Sequence, residues 1–331
     1  MREISVTEIG LPEDSPFYAF RTEGEQDWLD LRGKGIGGSD VGAIMGFVKQ
    51  RPPISVWMEK TGRAEPQDLS DNESVEWGTR NEDNIRQKFC EEHPEFQVFH
   101  HPDVSFQSKE RPWARANLDG IIKDKDGRFG ILEIKTADAR MASAWDEGVP
   151  PYYIAQVTHY LGVTGWSFAY VAVLIGGNRY REYRIERDEE DIKAVNERVD
   201  EFWNVFVQKQ IMPAIVGTEA ESQALMSLYG IGEGLAVIED MSAFDDLARQ
   251  YKEAKAMEKE YGERARYCAN AMRNVIGANK KAMTDTYRVS WVKSSRERFD
   301  TKRFAAEHPD LARQYTTTVS VDMGLRVSEV K

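Results

Sequence analysis

The chain has 331 residues, 41% hydrophobic and 30% charged, which suits a soluble globular protein of one large or two smaller domains. It has no run of about 18 apolar residues to cross a membrane, its N-terminus lacks the apolar core of a signal peptide, and its two cysteines, Cys90 and Cys268, are too few for a disulfide framework or a metal cluster. A reducing cytoplasm is expected, and the net charge of −12 weighs against a wholly basic nucleic-acid binder without excluding a basic groove.

Residues 1–22, with Pro12 and Pro16, read as an irregular lead-in. A helix is expected from near Gly24 through Trp28, Leu29 and Leu31 to Arg32, ending in the glycine-rich turn Gly33-Lys34-Gly35-Ile36-Gly37-Gly38. Such a turn lets backbone amides approach an anion, although taken alone it is better explained by structure. Ser39 or Asp40 can cap the next helix, Val41 to Met45, and Pro52-Pro53 opens another that stops at Gly62. Ser74 to Cys90 reads as a helix with Val75, Gly78, Ile85 and Phe89 near one face and Glu82 beside them. Strands are expected at 96–100 and 104–107.

The next stretch carries the chemistry. Asn117-Leu118-Asp119-Gly120-Ile121-Ile122 is followed by a charged turn and then Ile131-Leu132-Glu133-Ile134-Lys135-Thr136. Residues two apart in a strand share a face, so Glu133 and Lys135 emerge side by side, and strand pairing brings Asp119 to them. Two carboxylates can hold a hard cation such as Mg²⁺, and with a lysine beside it that arrangement suits hydrolysis of a phosphodiester. Acids and bases also alternate on solvated hairpins. Here the apolar neighbours Ile121, Ile122, Ile131, Leu132 and Ile134 mark central strands, where a charge needs a partner or a metal.

Residues 137–148 read as loop and helix, and Pro150-Pro151 opens a helix from Tyr152 to Leu161. The apolar strand Ser167–Ile175 turns at Gly176-Gly177-Asn178 into a partner at 181–185, and a long helix runs from Glu189 to about Ile211. Residues 1–213 are expected as the core, 214–240 as a linker and 241–331 as an appendage. The appendage carries 18 Lys and Arg against 13 Asp and Glu, leaving 26 against 43 in residues 1–240. It begins with a long amphipathic helix (Phe244, Leu247, Tyr251 and onward to Val275), followed by a strand at 287–292, a helix at 301–307 and one or two strands at 319–330. Trp77, Trp113 and His159 are read as packing residues.

In order and spacing, Arg32, Gly37-Gly38-Ser39-Asp40, Trp77-Gly78-Thr79-Arg80-Asn81-Glu82, Asn117-Leu118-Asp119-Gly120, Leu132-Glu133-Ile134-Lys135-Thr136 and Tyr153-Ile154-Ala155-Gln156 resemble phage-type recombination exonucleases. These form the lambda exonuclease and YqaJ group of the PD-(D/E)XK nuclease superfamily, and the resemblance covers roughly residues 24–210. It implies an α/β core with a mixed central sheet flanked by helices, plus a C-terminal appendage with a long helix and a small α/β unit. It also implies a 5′→3′ double-strand DNA exonuclease that uses Mg²⁺, with Mn²⁺ as a substitute. Such an enzyme leaves 3′ overhangs for a single-strand annealing protein and works as a homo-oligomer, a ring around the duplex.

Residue by residue, Asp119 and Glu133 match the metal ligands, with the Ile134 carbonyl as a further one. Lys135 matches the lysine that orients or activates water. Glu82 matches the helix carboxylate that touches a metal directly or through water, and Gln156 matches a glutamine of the following helix. Arg32 and Ser39 match the positions that hold the 5′-phosphate, and Tyr153 is grouped with them. One departure is Asn117-Leu118, which stands where Ser/Thr-Pro is usual before Asp-Gly. The alternatives are an ExK-type DNA endonuclease and a non-catalytic module that binds DNA ends. An iron–sulfur nuclease is excluded, since its cluster needs four cysteines.

Overall fold

The structure is a computed structural model that describes residues 1–66, 71–230, 232, 234, 236–292, 294–317 and 324–329. It divides into two units, Met1–Ile231 and Gly232–Lys331. The expected irregular lead-in forms two strands instead, β1 (Arg2–Ile4) and β2 (Phe17–Arg21). The alternation of Phe17 and Ala19, both fully buried, with the exposed Tyr18 is the signal of a half-buried strand that the two prolines obscured.

Four helices follow: α1 (Glu25–Gly33), α2 (Gly38–Ile44), α3 (Pro53–Lys60) and α4 (Glu73–Glu92). Asn72 caps α4 by accepting from the Ser74 and Val75 amides. The buried side chains of α4 are Ile85 and Phe89, whereas Val75 and Trp77 are exposed, so its core face begins nearly three turns later than its sequence suggests. The strands β3 (Gln97–Phe99), β4 (Val104–Ser108), β5 (Arg115–Asn117), β6 (Gly120–Lys123) and β7 (Phe129–Ala137) come next. A 3₁₀ turn at Ala139–Trp145 leads to α5 (Pro151–Thr164), β8 (Phe168–Ile175), β9 (Arg179–Glu186) and α6 (Glu189–Glu201). The long helix expected to reach Ile211 leaves α-geometry at Glu201 and continues as a π-turn, Phe202–Val207. Its carbonyls are re-aimed there, and that of Phe206 accepts from Trp57 Nε1 at 3.0 Å.

The sheets are separate. One runs β1-β2-β4-β5, antiparallel throughout; the other, β3-β6-β7-β8-β9, is mixed, with β7 and β8 its parallel pair. The helix between β7 and β8 is α5, the crossover that a parallel pair requires. One face of α5 (Val157, Tyr160, Leu161) packs in a core shared by both sheets. A second core joins Ala155 of α5 to α2, α3 and α6. On the opposite face of the mixed sheet, Ile85 and Phe89 of α4 cover Leu132, Ile134 and Tyr170. Each aliphatic or aromatic side chain so buried contributes about 1.5–3 kcal/mol. The expected mixed sheet flanked by helices is therefore present, and a second sheet accompanies it.

Within the stretch expected as a linker, residues 219–229 form helix α7 (Glu219–Tyr229), whose Ala224, Leu225 and Leu228 pack into the second core. The other unit contains α8 (Met241–Ile276), the hairpin β10 (Lys281–Met283) and β11 (Arg288–Ser290), and the short helices α9 (Thr301–Glu307) and α10 (Pro309–Gln314). Its long helix and small α/β part are as expected. Of the strands expected at 319–330, residues 319–323 and 330 lie outside the described residues, and 324–329 form none.

Candidate active site

Strand register assembles the site. Gly120 pairs with Leu132, so Asp119 stands one step beyond the end of β6, at the level of Glu133. Its Oδ2 accepts from the Ile134 amide at 2.7 Å. The N–H and C=O of one strand residue project to the same edge, so the Ile134 carbonyl lies on this side too, past the last residue of β6. Alternation sends Ile131, Glu133 and Lys135 to the α5 face of β7, and Leu132 and Ile134 to the α4 face. Glu133 is 2% exposed and its Oε1 is held by Lys135 Nζ and by Gln156 Nε2, the latter at 2.6 Å. Its Oε2 is buried and has no hydrogen-bond partner among the described residues.

The electrostatics say that this cluster lacks positive charge. Burial, then Asp119, pushes the Glu133 carboxyl up to about 8. Burial, then again Asp119, pushes Glu82 up to about 7. Burial opposes the charge on Lys135, but Glu133 and Asp119 outweigh it and hold the ammonium above the ordinary lysine value. Among the described residues no three His, Cys, Asp or Glu side chains stand as a closed metal cage. Lys135, Gln156 and the Ile134 amide hold carboxylate oxygens that such a cage would use. The hard oxygen donors, the orphaned Oε2 and the raised carboxyl pKa values nonetheless fit a divalent cation on Asp119, Glu133 and the Ile134 carbonyl, with Glu82 nearby.

Arg32 and Ser39 come together elsewhere, in a cavity of about 40 Å³ lined also by Trp28, Asp40, Asn117 and Tyr160. Asp40 is fully buried and bonds to Lys60 and Arg51, each at 2.8 Å. Burial alone would raise its carboxyl, but Lys60, Arg51 and Arg32 hold it well below the usual carboxylate range. Tyr153 is not in this cavity. It sits beneath Lys135, whose ammonium is 4.9 Å from its ring centre, and stacks on Trp145. On α5, residues 153 and 156 are one turn apart, so Tyr153 follows Gln156 to the carboxylate cluster and not Ser39 to the cavity. The sequence signal for this was present in the i, i+3 spacing.

The glycine turn is clamped between α5 and β5. A Cβ on Gly38 would lie 2.5 Å from the Tyr160 ring and 2.7 Å from Gln156 Cγ, so only glycine lets α2 approach α5 this closely. The Ile36 amide donates to the Trp113 carbonyl at 2.7 Å, and the Arg115 amide donates to Ile36 at 3.0 Å. His159, buried as expected, faces the carbonyls of Ile36 and Arg115 with Nε2 at 3.2 and 3.1 Å, so that nitrogen carries the proton. Trp113 packs as expected and donates to Asp200, but Trp77 is 57% exposed. Trp77 lines an open cleft of about 610 Å³ with Asn81 and Thr136, the neighbours of Glu82 and Lys135, and Arg80 lies over its ring.

Burial, then Arg111, depresses the His159 pKa to about 4 from 6.5. A group favoured neutral in the fold contributes stability above the unfolded value and loses it as pH falls from 6.5 to 4. His159→Gln keeps an N–H donor and does not titrate. Across that window wild type should lose about 3 kcal/mol of stability relative to this variant. Parallel denaturant titrations check it, since carboxylates common to both proteins cancel; a constant difference would mean that His159 takes up its proton in the fold no less readily than in the unfolded chain.

Residues 27–167 match the YqaJ-like viral recombinase domain family. The uncharacterized protein YqaJ of Bacillus subtilis (strain 168) is 33% identical over 293 residues, which cover 86% of this chain and 88% of that protein. Among solved structures, the alkaline exonuclease LHK-Exo of Laribacter hongkongensis is similar at a TM-score of 0.46 and 19% identity, over 56% of this chain and 94% of that one. No helix among the described residues is long and apolar enough to cross a membrane. One third identity to a relative along nearly the whole length of both, together with the family match across the motifs, bears out the resemblance: the chain belongs to the YqaJ-like viral recombinase family.

Proposed function

We propose that this chain is a Mg²⁺-dependent 5′→3′ exonuclease of double-stranded DNA that leaves 3′ overhangs for strand annealing. The observation that carries this is the pairing, on one α5–β5 frame, of two sites. One is a carboxylate cluster short of positive charge, and the other is a small cavity that presents Arg32. The first suits hydrolysis of a phosphodiester and the second suits a chain end. Asp119, Glu133 and the Ile134 carbonyl would hold Mg²⁺, which stabilises charge developing on the phosphoryl oxygens and acidifies water. Lys135 places a cation beside the attacked phosphate, and Gln156 fixes the Glu133 carboxylate against it. The exposed Trp77 offers a ring on which a base can stack as the strands part.

The cavity favours an exonuclease over an ExK endonuclease, because an internal phosphodiester brings no terminal group to fill it. Linear duplex should be consumed from its 5′ ends in Mg²⁺ while covalently closed circular DNA survives. Digestion of 5′- and 3′-labelled substrates checks both points. Cutting of the circle would sink the exonuclease reading and leave the endonuclease. No release of nucleotides from either would leave a DNA-end-binding module.

A further inference from the structure

The end cavity contains two polar side chains that none of the roles above uses. Arg115 is 8% exposed, and its Nε and Nη1 are buried without a hydrogen-bond partner among the described residues. Ser105, 2% exposed, has its Oγ in the same condition. Both line the cavity with Arg32, Ser39 and Asn117. The register explains why they meet: Ser105 pairs with Asn117, and Arg115 is two residues from Asn117 on the same strand, so all three share one face.

A buried guanidinium without a partner is costly, and nothing in the wall relieves it. Asp40, the carboxylate of the cavity, is committed to Arg51 and Lys60. Burial alone lowers the Arg115 pKa, and no neighbouring charge restores it. The space of about 40 Å³ would hold about three waters at ~10–15 Å³ each, the size class of one phosphate group and far too small for a base.

We propose that Arg115, assisted by Ser105, is a second cationic reader of the 5′-terminal phosphate, so that two guanidiniums face the nearly double charge of a monoester. This rests on the end-binding role given above to the Arg32 cavity. A phosphate monoester carries about −1.5 to −2 charges at pH 7, whereas a diester carries one and a 5′-hydroxyl none. A single arginine matches a diester nearly as well as a monoester, and a pair separates them.

The test uses the full chain, with Arg115→Met and Arg115→Lys, in two measurements. The first is melting temperature with and without inorganic phosphate. Phosphate should raise the melting temperature of wild type, by linkage to the folded state, and should leave that of Arg115→Met unmoved. The second is the ratio of digestion rates on 5′-phosphorylated and 5′-hydroxyl linear duplex, which Arg115→Met should lower about tenfold and Arg115→Lys by less. If Arg115→Met keeps both the phosphate shift and the wild-type ratio, the role of Arg115 is overturned while the cavity assignment stands. If wild type itself shows no phosphate shift and digests both ends alike, the cavity assignment fails and takes this role with it. A phosphate shift that depends on Arg115, in a wild type that digests neither substrate, supports the anion site and removes the nuclease reading alone.

Discussion

Glu133→Gln is expected to lower digestion of linear duplex in Mg²⁺ on the order of a thousandfold or more, and Lys135→Ala to do the same, while both variants should still bind duplex ends. In the proposed reaction both side chains would serve charge that develops in the transition state, which binding of the substrate does not require. Glu133 is also the carboxyl whose environment most resists its ionisation, with its Oε2 orphaned among the described residues and its pKa pushed up to about 8. A readout free of activity follows. A carboxyl whose folded pKa is raised contributes stability below its unfolded value and loses it as pH rises through about 8. Metal-free Glu133→Gln should therefore melt above metal-free wild type at pH of about 8.5, and Mg²⁺ should raise the melting temperature of wild type far more than that of the variant. Near wild-type turnover in either variant would sink the assignment. An equal Mg²⁺ shift in both proteins would remove Glu133 from the metal.

Arg32→Ala should cost about a hundredfold on 5′-phosphorylated ends and little on 5′-hydroxyl ends, so that the two substrates converge. The competing explanation for Arg32, an ion pair with Asp40, is not what the fold contains: Asp40 spends both oxygens on Arg51 and Lys60. Arg32 closes the last turn of α1, stacks over Trp28 at 5.2 Å and makes no ion pair with a described residue. A guanidinium so placed is available for the two parallel N–H bonds that a phosphate accepts. Initial rates on one duplex prepared with either end decide the matter, and equal loss on both would assign Arg32 to structure.

Much of the site was legible in the sequence because its geometry is local. Glu133 and Lys135 share a face by the two-residue period of a strand, and the short turn after β6 forces Asp119 beside them. What remained hidden depends on contacts between distant segments. The strands β1 and β2 carry too few residues to outweigh Pro12 and Pro16, and they exist because β4 offers an edge to pair with. Trp77 looked like a core residue, yet the face of α4 that packs is chosen by the sheet beneath it, and only Ile85 and Phe89 reach it. Arg115 gave no signal, since an arginine next to an apolar strand residue is ordinary on an exposed edge. Its isolation appears only when the Gly35 turn folds over it, so closely that a Cβ at Gly35 would lie 2.8 Å from its Nε.

The short link from β5 to β6 would bear on how a nuclease of this build advances along DNA. Arg115 and Asp119 are four residues apart on a nearly extended stretch, so at ~3.3 Å per residue their backbones are at most about 13 Å apart. On the proposed reading, covalent geometry would tie the held chain end to the attacked bond, like the fixed jaw of a gauge. With the end so seated, the length of each excised piece would be dictated by the protein's own backbone, the same at every bite whatever bases pass through.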